Sequence, residues 1–211
     1  DSSNQFDITL GASTVIDAGV NGVNGLDTGS LANSTLYYVY IISDSRSFNT
    51  PKLLLSTSAT APYVPAGYDI LRRIGSVRTD GSAHFLKFYQ SGSASQRKYT
   101  WDAPISVLSG GNSTTFAAVD LSGAVPALAN CRVGIISSFT PATAANAATI
   151  RPSGSAATTG VTITGVVAAK AQGAQEEVLA LLISGVPKID YIVAATGDAL
   201  SLSVISFIES L

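Results

Sequence analysis

Short apolar segments separated by turn-forming residues recur along most of this chain. Leu36–Ile42 is apolar on both faces, which is typical of a strand at the centre of a sheet. Val161–Thr164 and Leu200–Val204 alternate between aliphatic and hydroxyl side chains, and Lys188–Val193 nearly alternates, so these segments predict strands with one buried face. Asn-Gly, Asp-Gly and Ser-Gly pairs lie between the segments and indicate turns. The pattern predicts an all-β fold, either an antiparallel β-sandwich or a jelly roll, with at most one short helix.

One hairpin can be placed from the sequence. Ile70–Arg78 and His84–Tyr89 flank the pair Asp80-Gly81, which favours a type I′ turn because both central residues of that turn take positive φ. The first arm does not alternate strictly, and Gly75 within it predicts a β-bulge that resets which face each residue occupies.

Ala168–Ile183 leaves two structures open. Glu176 and Glu177 lead into the apolar run Val178–Ile183, which suits a short helix. Gly173 interrupts the helical pattern, and the same apolar run suits a buried strand equally well.

The length of 211 residues is consistent with one core, because a chain of this size buries roughly 70% of its unfolded surface. Pro141–Thr159 is dense in Ala, Thr and Ser, and strand-like segments lie on both sides of it. We therefore predict a single β-sandwich domain over residues 1–211, with a loop or loose waist at about 141–159.

The chain is poor in charge. Hydrophobic residues make up 46% of it and charged residues only 12%, with a net charge of −2, whereas ordinary domains carry about 25% charged residues. Disordered chains lack apolar residues, so the deficit does not indicate disorder. The chain has no general excess of basic residues that would predict nucleic-acid binding. Its longest apolar runs are far shorter than the roughly 20 residues that span a bilayer. Uncharged tracts such as Ile105–Val119 suit a subunit that packs against copies of itself.

The single His and the single Cys limit the chemistry that the chain can perform. They exclude two-His metal sites, an intrachain disulfide and a multi-Cys zinc site. A catalytic triad would have to use His84, and no G-x-S-x-G motif accompanies it. We interpret His84 as an exposed or edge-strand residue and Cys131 as a small buried core residue. The chain is predicted to be no enzyme, with no catalytic residues, no metal and no cofactor.

Candidate ligand-binding residues are basic or aromatic. Arg72–Lys98 contains half of the twelve cations, which form either a patch for an anionic ligand or outward strand residues paired with Asp69, Asp80 and Asp102. Exposed aromatic rings stack on sugars, although aromatic residues in sandwiches are often core residues. The residues predicted to contact a ligand are Tyr63, Tyr68, Arg97, Lys98 and Trp101.

Several segments, in this order and spacing, resemble a module that recurs in virion proteins of tailed phages and prophages. The segments are Gly25–Tyr40, Leu53–Pro62, Pro65–Tyr68, Arg72–Ser82 and Phe85–Gln90. The matching motifs cover about residues 20–136. The module is found in tail fibres and other exposed virion parts, and it brings no established catalytic or binding residues.

The resemblance implies a structural, non-enzymatic protein on the virion surface. The expected function is that of a tail-fibre or receptor-binding domain that recognises a host surface polysaccharide through loops such as Thr60–Tyr68, Ser91–Lys98 and Pro141–Thr159. The alternatives are a capsid decoration or head-fibre protein and a bacterial carbohydrate-binding or adhesin module. The expected partners are two further copies of the chain in a homotrimer, other virion proteins and the polysaccharide, with no nucleic acid and no membrane insertion.

Overall fold

The computed structural model describes residues 14–46, 51–93, 95–128, 131–155 and 160–210. The described residues contain no helix, and curled antiparallel sheets form a sandwich-like fold, so the predicted all-β class is confirmed. The chain divides into two compact units, Asp1–Phe85 and Leu86–Leu211. The prediction of a single domain over residues 1–211 stays a prediction.

The first unit contains a four-stranded sheet in the order β1-β3-β2-β4. The β1/β3 pair is parallel and the other pairs are antiparallel. The strands are β1 (Gly25–Leu26), β2 (Leu36–Ser43), β3 (Lys52–Ser56) and β4 (Ile70–Arg78).

Strand β2 lies inside this sheet and buries side chains on both faces, as its apolar sequence predicts. Tyr38 and Tyr40 pack in one cluster with Leu54, whereas the neighbouring Tyr37 packs in another with Leu55. Because successive side chains of a strand point to opposite faces, two separate apolar clusters flank the sheet.

The bulge predicted in β4 is confirmed. Val39 pairs with Gly75 and Tyr40 pairs with Arg73, so Ile74 is the extra residue that the bulge inserts into β4. The extra residue shifts the alternation along β4.

The predicted type I′ turn at Asp80-Gly81 is wrong. Gly81 does not take a positive φ, and Ala83 does, at 62°. The Asp80 carboxylate accepts hydrogen bonds from the backbone N–H groups of Ser82 and His84, and these bonds lower the pKa of Asp80, the bond from His84 having the larger effect. The side chain of Asp80 therefore organises a longer loop, and the second predicted arm pairs elsewhere, from Phe88 onwards.

The second unit contains a nine-stranded sheet in the order β10-β9-β12-β11-β8-β13-β6-β5, with β7 paired to β12. Its strands are β5 (Phe88–Gly92), β6 (Gln96–Gly111), β7 (Ala117–Asp120), β8 (Cys131–Thr140), β9 (Ala147–Pro152), β10 (Val161–Thr164), β11 (Gln172–Ile183), β12 (Val186–Val193) and β13 (Ala199–Ser210). The segments predicted as half-buried strands lie in β10, β12 and β13, which confirms that they are strands. In β12 the adjacent residues Asp190 and Tyr191 are both buried, so this strand is covered on both faces and not on one.

Ala168–Ile183, whose sequence suits a helix or a strand, contains strand β11 and no helix. It pairs with β8 on one side and with β12 on the other, so its backbone hydrogen bonds are satisfied in the sheet. The turn into β12 is formed by Ser184 and Gly185, both with positive φ. This two-residue connection has the backbone signs of a type I′ turn.

The core of the second unit lies against one face of β5, β6, β13, β8 and β11. Tyr99 stacks on Phe207 with ring centroids 4.8 Å apart, and Trp101 packs against the same Phe207 at 5.8 Å. The Trp101 indole N–H donates a hydrogen bond to the Ala124 carbonyl, so its polar atom is satisfied inside the core. The opposite face of these five strands is the outer face.

The Ala/Thr/Ser-rich segment 141–159 contains strand β9 and a turn held by one carboxylate; residues 156–159 lie outside the described residues. Asp198 accepts hydrogen bonds from the Ala142 N–H at 2.7 Å and from the Asn146 side-chain amide at 2.9 Å. Burial raises the pKa of Asp198, but these bonds outweigh it and the net pKa is lowered. The carboxylate therefore stays ionised and fixes the turn before β9.

Candidate functional site

Strand pairing decides which side chains share the outer face. Tyr99, Phe207 and Val133 are buried in the core and lie opposite one another on β6, β13 and β8. Because successive residues of a strand point to opposite faces, the residues next to these three point outward.

The outward residues form two neighbouring rows that cross the five strands β5, β6, β13, β8 and β11. The first row is Tyr89, Thr100, Ser206, Gly134 and Glu177, and the second is Ser91, Lys98, Ile208, Arg132 and Leu179. Four strand spacings separate the ends of a row, which is roughly 19 Å.

A polar groove of about 420 Å³ opens within these rows. It is lined by Lys98, Arg132, Gly134, Gln175, Glu176, Glu177, Ser206 and Ile208. We call this cavity the outer groove.

The floor of the outer groove is formed where β8 and β13 meet closely. A Cβ atom on Gly134 would stand 2.3 Å from the Ser206 hydroxyl oxygen, so that hydroxyl occupies the place of a side chain at position 134. Glycine in a strand interior often marks such a close approach. The absence of a side chain there keeps the middle of the first row low.

The charges of the outer groove balance. Arg132 and Glu177 form an ion pair with 3.7 Å between Nη1 and Oε1, and both side chains are about half exposed or more. An exposed pair of this kind contributes only about 0–1 kcal/mol. Lys98 and Glu176 supply one further charge of each sign. The groove therefore offers hydrogen-bond donors and acceptors side by side without a net charge.

An exposed tyrosine lies at the β5 end of the first row. The Tyr89 hydroxyl donates a hydrogen bond to Asp102 Oδ1 at 2.9 Å, and Lys87 forms an ion pair with the same oxygen at 3.7 Å. The pKa of Lys87 is raised, most strongly by its interaction with the Tyr89 side chain and next by the charge of Asp102. The predicted pairing of a cation with Asp102 is thereby confirmed.

The single Cys and the single His lie in contrasting environments. Burial raises the pKa of Cys131 to about 12, so the thiol stays protonated and unreactive at neutral pH. His84 is 80% exposed and lies 3.5 Å from Asp80. The interpretations of Cys131 as a buried residue and of His84 as an exposed one are confirmed. Among the described ranges there is no group of three or more His, Cys, Asp or Glu residues that could hold a metal ion.

The five predicted ligand-binding residues occupy different environments. Tyr63 is 69% exposed and Tyr68 packs against an apolar cluster, and both belong to the first unit. Lys98 lines the outer groove of the second unit. Arg97 precedes it on β6 and lines a separate cavity of about 400 Å³ at the end of the β5–β6 hairpin.

The prediction that Trp101 contacts a ligand requires a correction. Only 4% of its surface is exposed, because its ring packs against Phe88 and Phe207. A ligand therefore finds no open face of the indole on which to stack.

Sequence reasoning missed Tyr89, Arg132, Gly134 and Glu177. The alternation of buried and exposed residues along β8 was a usable signal for Arg132 and Gly134, since Cys131, Val133 and Ile135 read as its apolar face. That they lie in the same rows as Tyr89 on β5 and Glu177 on β11 depends on pairings between segments that are distant in the sequence.

No protein-family model matches the chain, and neither a curated protein nor a solved structure matches it significantly. Within the described part of the chain, no helix has the length and apolar character needed to cross a membrane.

The close contact at the groove floor yields a stability prediction. Gly134→Ala forces its Cβ against the Ser206 hydroxyl, and overpacking of this kind costs about 1–3 kcal/mol. Adding Ser206→Ala should recover most of that loss. Urea unfolding followed by the fluorescence of Trp101, the single tryptophan, reports on the second unit.

Gly173→Ala on β11 is the matched control, because its Cβ would meet its nearest atom, the Ser137 carbonyl oxygen, at an ordinary 3.5 Å. Equal stability of Gly134→Ala and Gly173→Ala would show that the close contact is absent.

Proposed function

We propose that this chain is a non-enzymatic structural protein of a tailed-phage virion, a tail-fibre or receptor-binding domain that recognises a host surface polysaccharide at the virion surface. The resemblance of residues 20–136 to the virion module supports the setting. The observation that carries the binding role is the outer groove, which crosses an exposed sheet face and mixes charged and neutral polar groups.

The outer groove suits a polyhydroxyl chain better than a compact ligand. Pockets for small molecules are mostly apolar and enclose the ligand, whereas Lys98, Arg132, Gln175 and Glu177 are among the polar residues that line the outer groove. Sugar hydroxyls both donate and accept hydrogen bonds, so they can use carboxylates, amides and cations in the same site.

Rigid placement of the groove residues favours binding. They lie on strands within the nine-stranded sheet, and the side chains beneath them are packed in the core. Because the backbone of these residues is already ordered in the sheet, binding has to order only their side chains. The sheet therefore acts as a preformed surface for the polysaccharide.

We further propose that the chain assembles as a homotrimer. The low content of charged residues and the exposure of Val166 and Val167, at 75% and 53%, support burial of surface between copies. Light scattering at micromolar concentration should give three times the mass of one chain. A monomer mass would contradict the trimer.

The binding role is tested with the chain fused to a fluorescent protein and a panel of bacterial strains of known surface polysaccharide. Staining of a strain should be competed by its purified lipopolysaccharide or capsule. Lys98→Ala and Arg132→Ala should each weaken binding about tenfold, or ~1.4 kcal/mol, because each removes a donor from the groove.

Lys170→Ala and Arg46→Ala are the matched controls, since they remove the same charges from exposed positions outside the groove. Staining of no strain would reject the receptor-binding role and favour capsid decoration. Release of reducing sugar from the polysaccharide would reject the non-enzymatic role.

A further inference from the structure

Tyr89 extends the polar surface beyond the outer groove. It is 55% exposed and pairs with Thr100, which in turn pairs with Ser206 at the groove floor. Tyr89 therefore lies two strand spacings from Ser206, roughly 10 Å along the same row. Its neighbour Phe88 points into the core and packs against Tyr99, which fixes the outward direction of Tyr89.

The ring of Tyr89 is held in place before any ligand arrives. Its hydroxyl donates to Asp102 Oδ1, and the Lys87 ammonium stands over the ring, 5.5 Å from its centroid. Lys87 also reaches Asp102, so three side chains restrain one another. An aromatic ring restrained in this way loses little further freedom on binding.

We infer that Tyr89 is an aromatic subsite on which a pyranose ring of the polysaccharide stacks, and that the ligand is an uncharged oligosaccharide segment. This inference rests on the proposed function and names the ligand class of the same surface. One face of a pyranose ring carries mainly C–H groups, which pack on the face of an aromatic ring, while its hydroxyls remain free for polar partners.

Charge along the row argues for an uncharged segment. Lys87 is balanced by Asp102 and Arg132 by Glu177, and the groove adds Lys98 and Glu176, one charge of each sign. A polyanionic ligand would gain attraction from the cations and lose it to the carboxylates. Electrostatic selection requires a surface of one dominant sign, and this face has none.

The length of the row sets the size of the ligand. Tyr89 and Glu177 stand at its two ends, four strand spacings or roughly 19 Å apart. A single sugar cannot contact both ends, whereas a short chain of several sugars can. Affinity should therefore rise with chain length until the ligand covers the row.

The test uses an array of purified bacterial oligosaccharides that includes neutral and uronic-acid-containing glycans of several lengths. The wild-type chain should bind neutral glycans, and titration of the best binder should show an affinity that changes less than about twofold between low and high salt. Tyr89→Ala should weaken that affinity about tenfold. Tyr89→Phe keeps the ring and loses only the Asp102 hydrogen bond, so it should cost about twofold to threefold.

Phe85→Ala is the control, because Phe85 is an exposed aromatic residue of the first unit, and Trp101 fluorescence checks that each variant keeps the fold of the second unit. If Tyr89→Ala binds like Phe85→Ala while Lys98→Ala and Arg132→Ala still weaken binding, the aromatic subsite is wrong and the proposed function stands. Binding only to acidic glycans, or a loss of more than tenfold in high salt, would reject the uncharged ligand. Binding to no glycan would reject the proposed function itself.

Discussion

The register between β6, β13 and β8 is the constraint on which the second unit depends. Tyr99 on β6 is paired with Phe207 on β13 and their rings stack, and Val133 on β8 lies opposite Phe207 on its other side. A slip of one residue would exchange the buried and exposed faces of a strand, so burying these aromatic rings strongly disfavours any other register. A bulge at Ile205 lets Val204 and Phe207 both reach the core although they are three residues apart. The outer groove lies on the face of these strands that is opposite the buried aromatic rings.

Local sequence patterns were sufficient for the elements whose residues alternate or are apolar throughout. Strands β2, β10 and β12 and the bulge beside Gly75 follow from such patterns. The turn at Asp80-Gly81 does not, because the Asp80 carboxylate binds two backbone amides and stabilises a longer loop than the dipeptide alone favours. The sequence does not decide between a helix and a strand for β11, because a short apolar run suits either until its pairing partners are known.

The candidate site was harder to predict, because it is assembled from distant segments. Lys98 was identified from the cluster of cations, and it lies in the outer groove. Trp101 was assigned by residue type, yet a large aromatic ring on a half-buried strand gains more from the core than from solvent. Arg132 and Glu177 meet only because β8 pairs with β11, forty-odd residues later in the chain. Alternation shows which side of a strand is exposed, but not which strands are neighbours.

Hydroxyl-radical footprinting with and without a bound polysaccharide tests the binding surface most directly, because it reads the solvent access of individual side chains. The polysaccharide should protect Tyr89, Ile208 and Leu179, which lie in the two outward rows. Tyr63 in the first unit should react equally in both samples. Protection of Tyr63 with unchanged reactivity of Tyr89 and Ile208 would contradict the account and place the binding surface on the first unit.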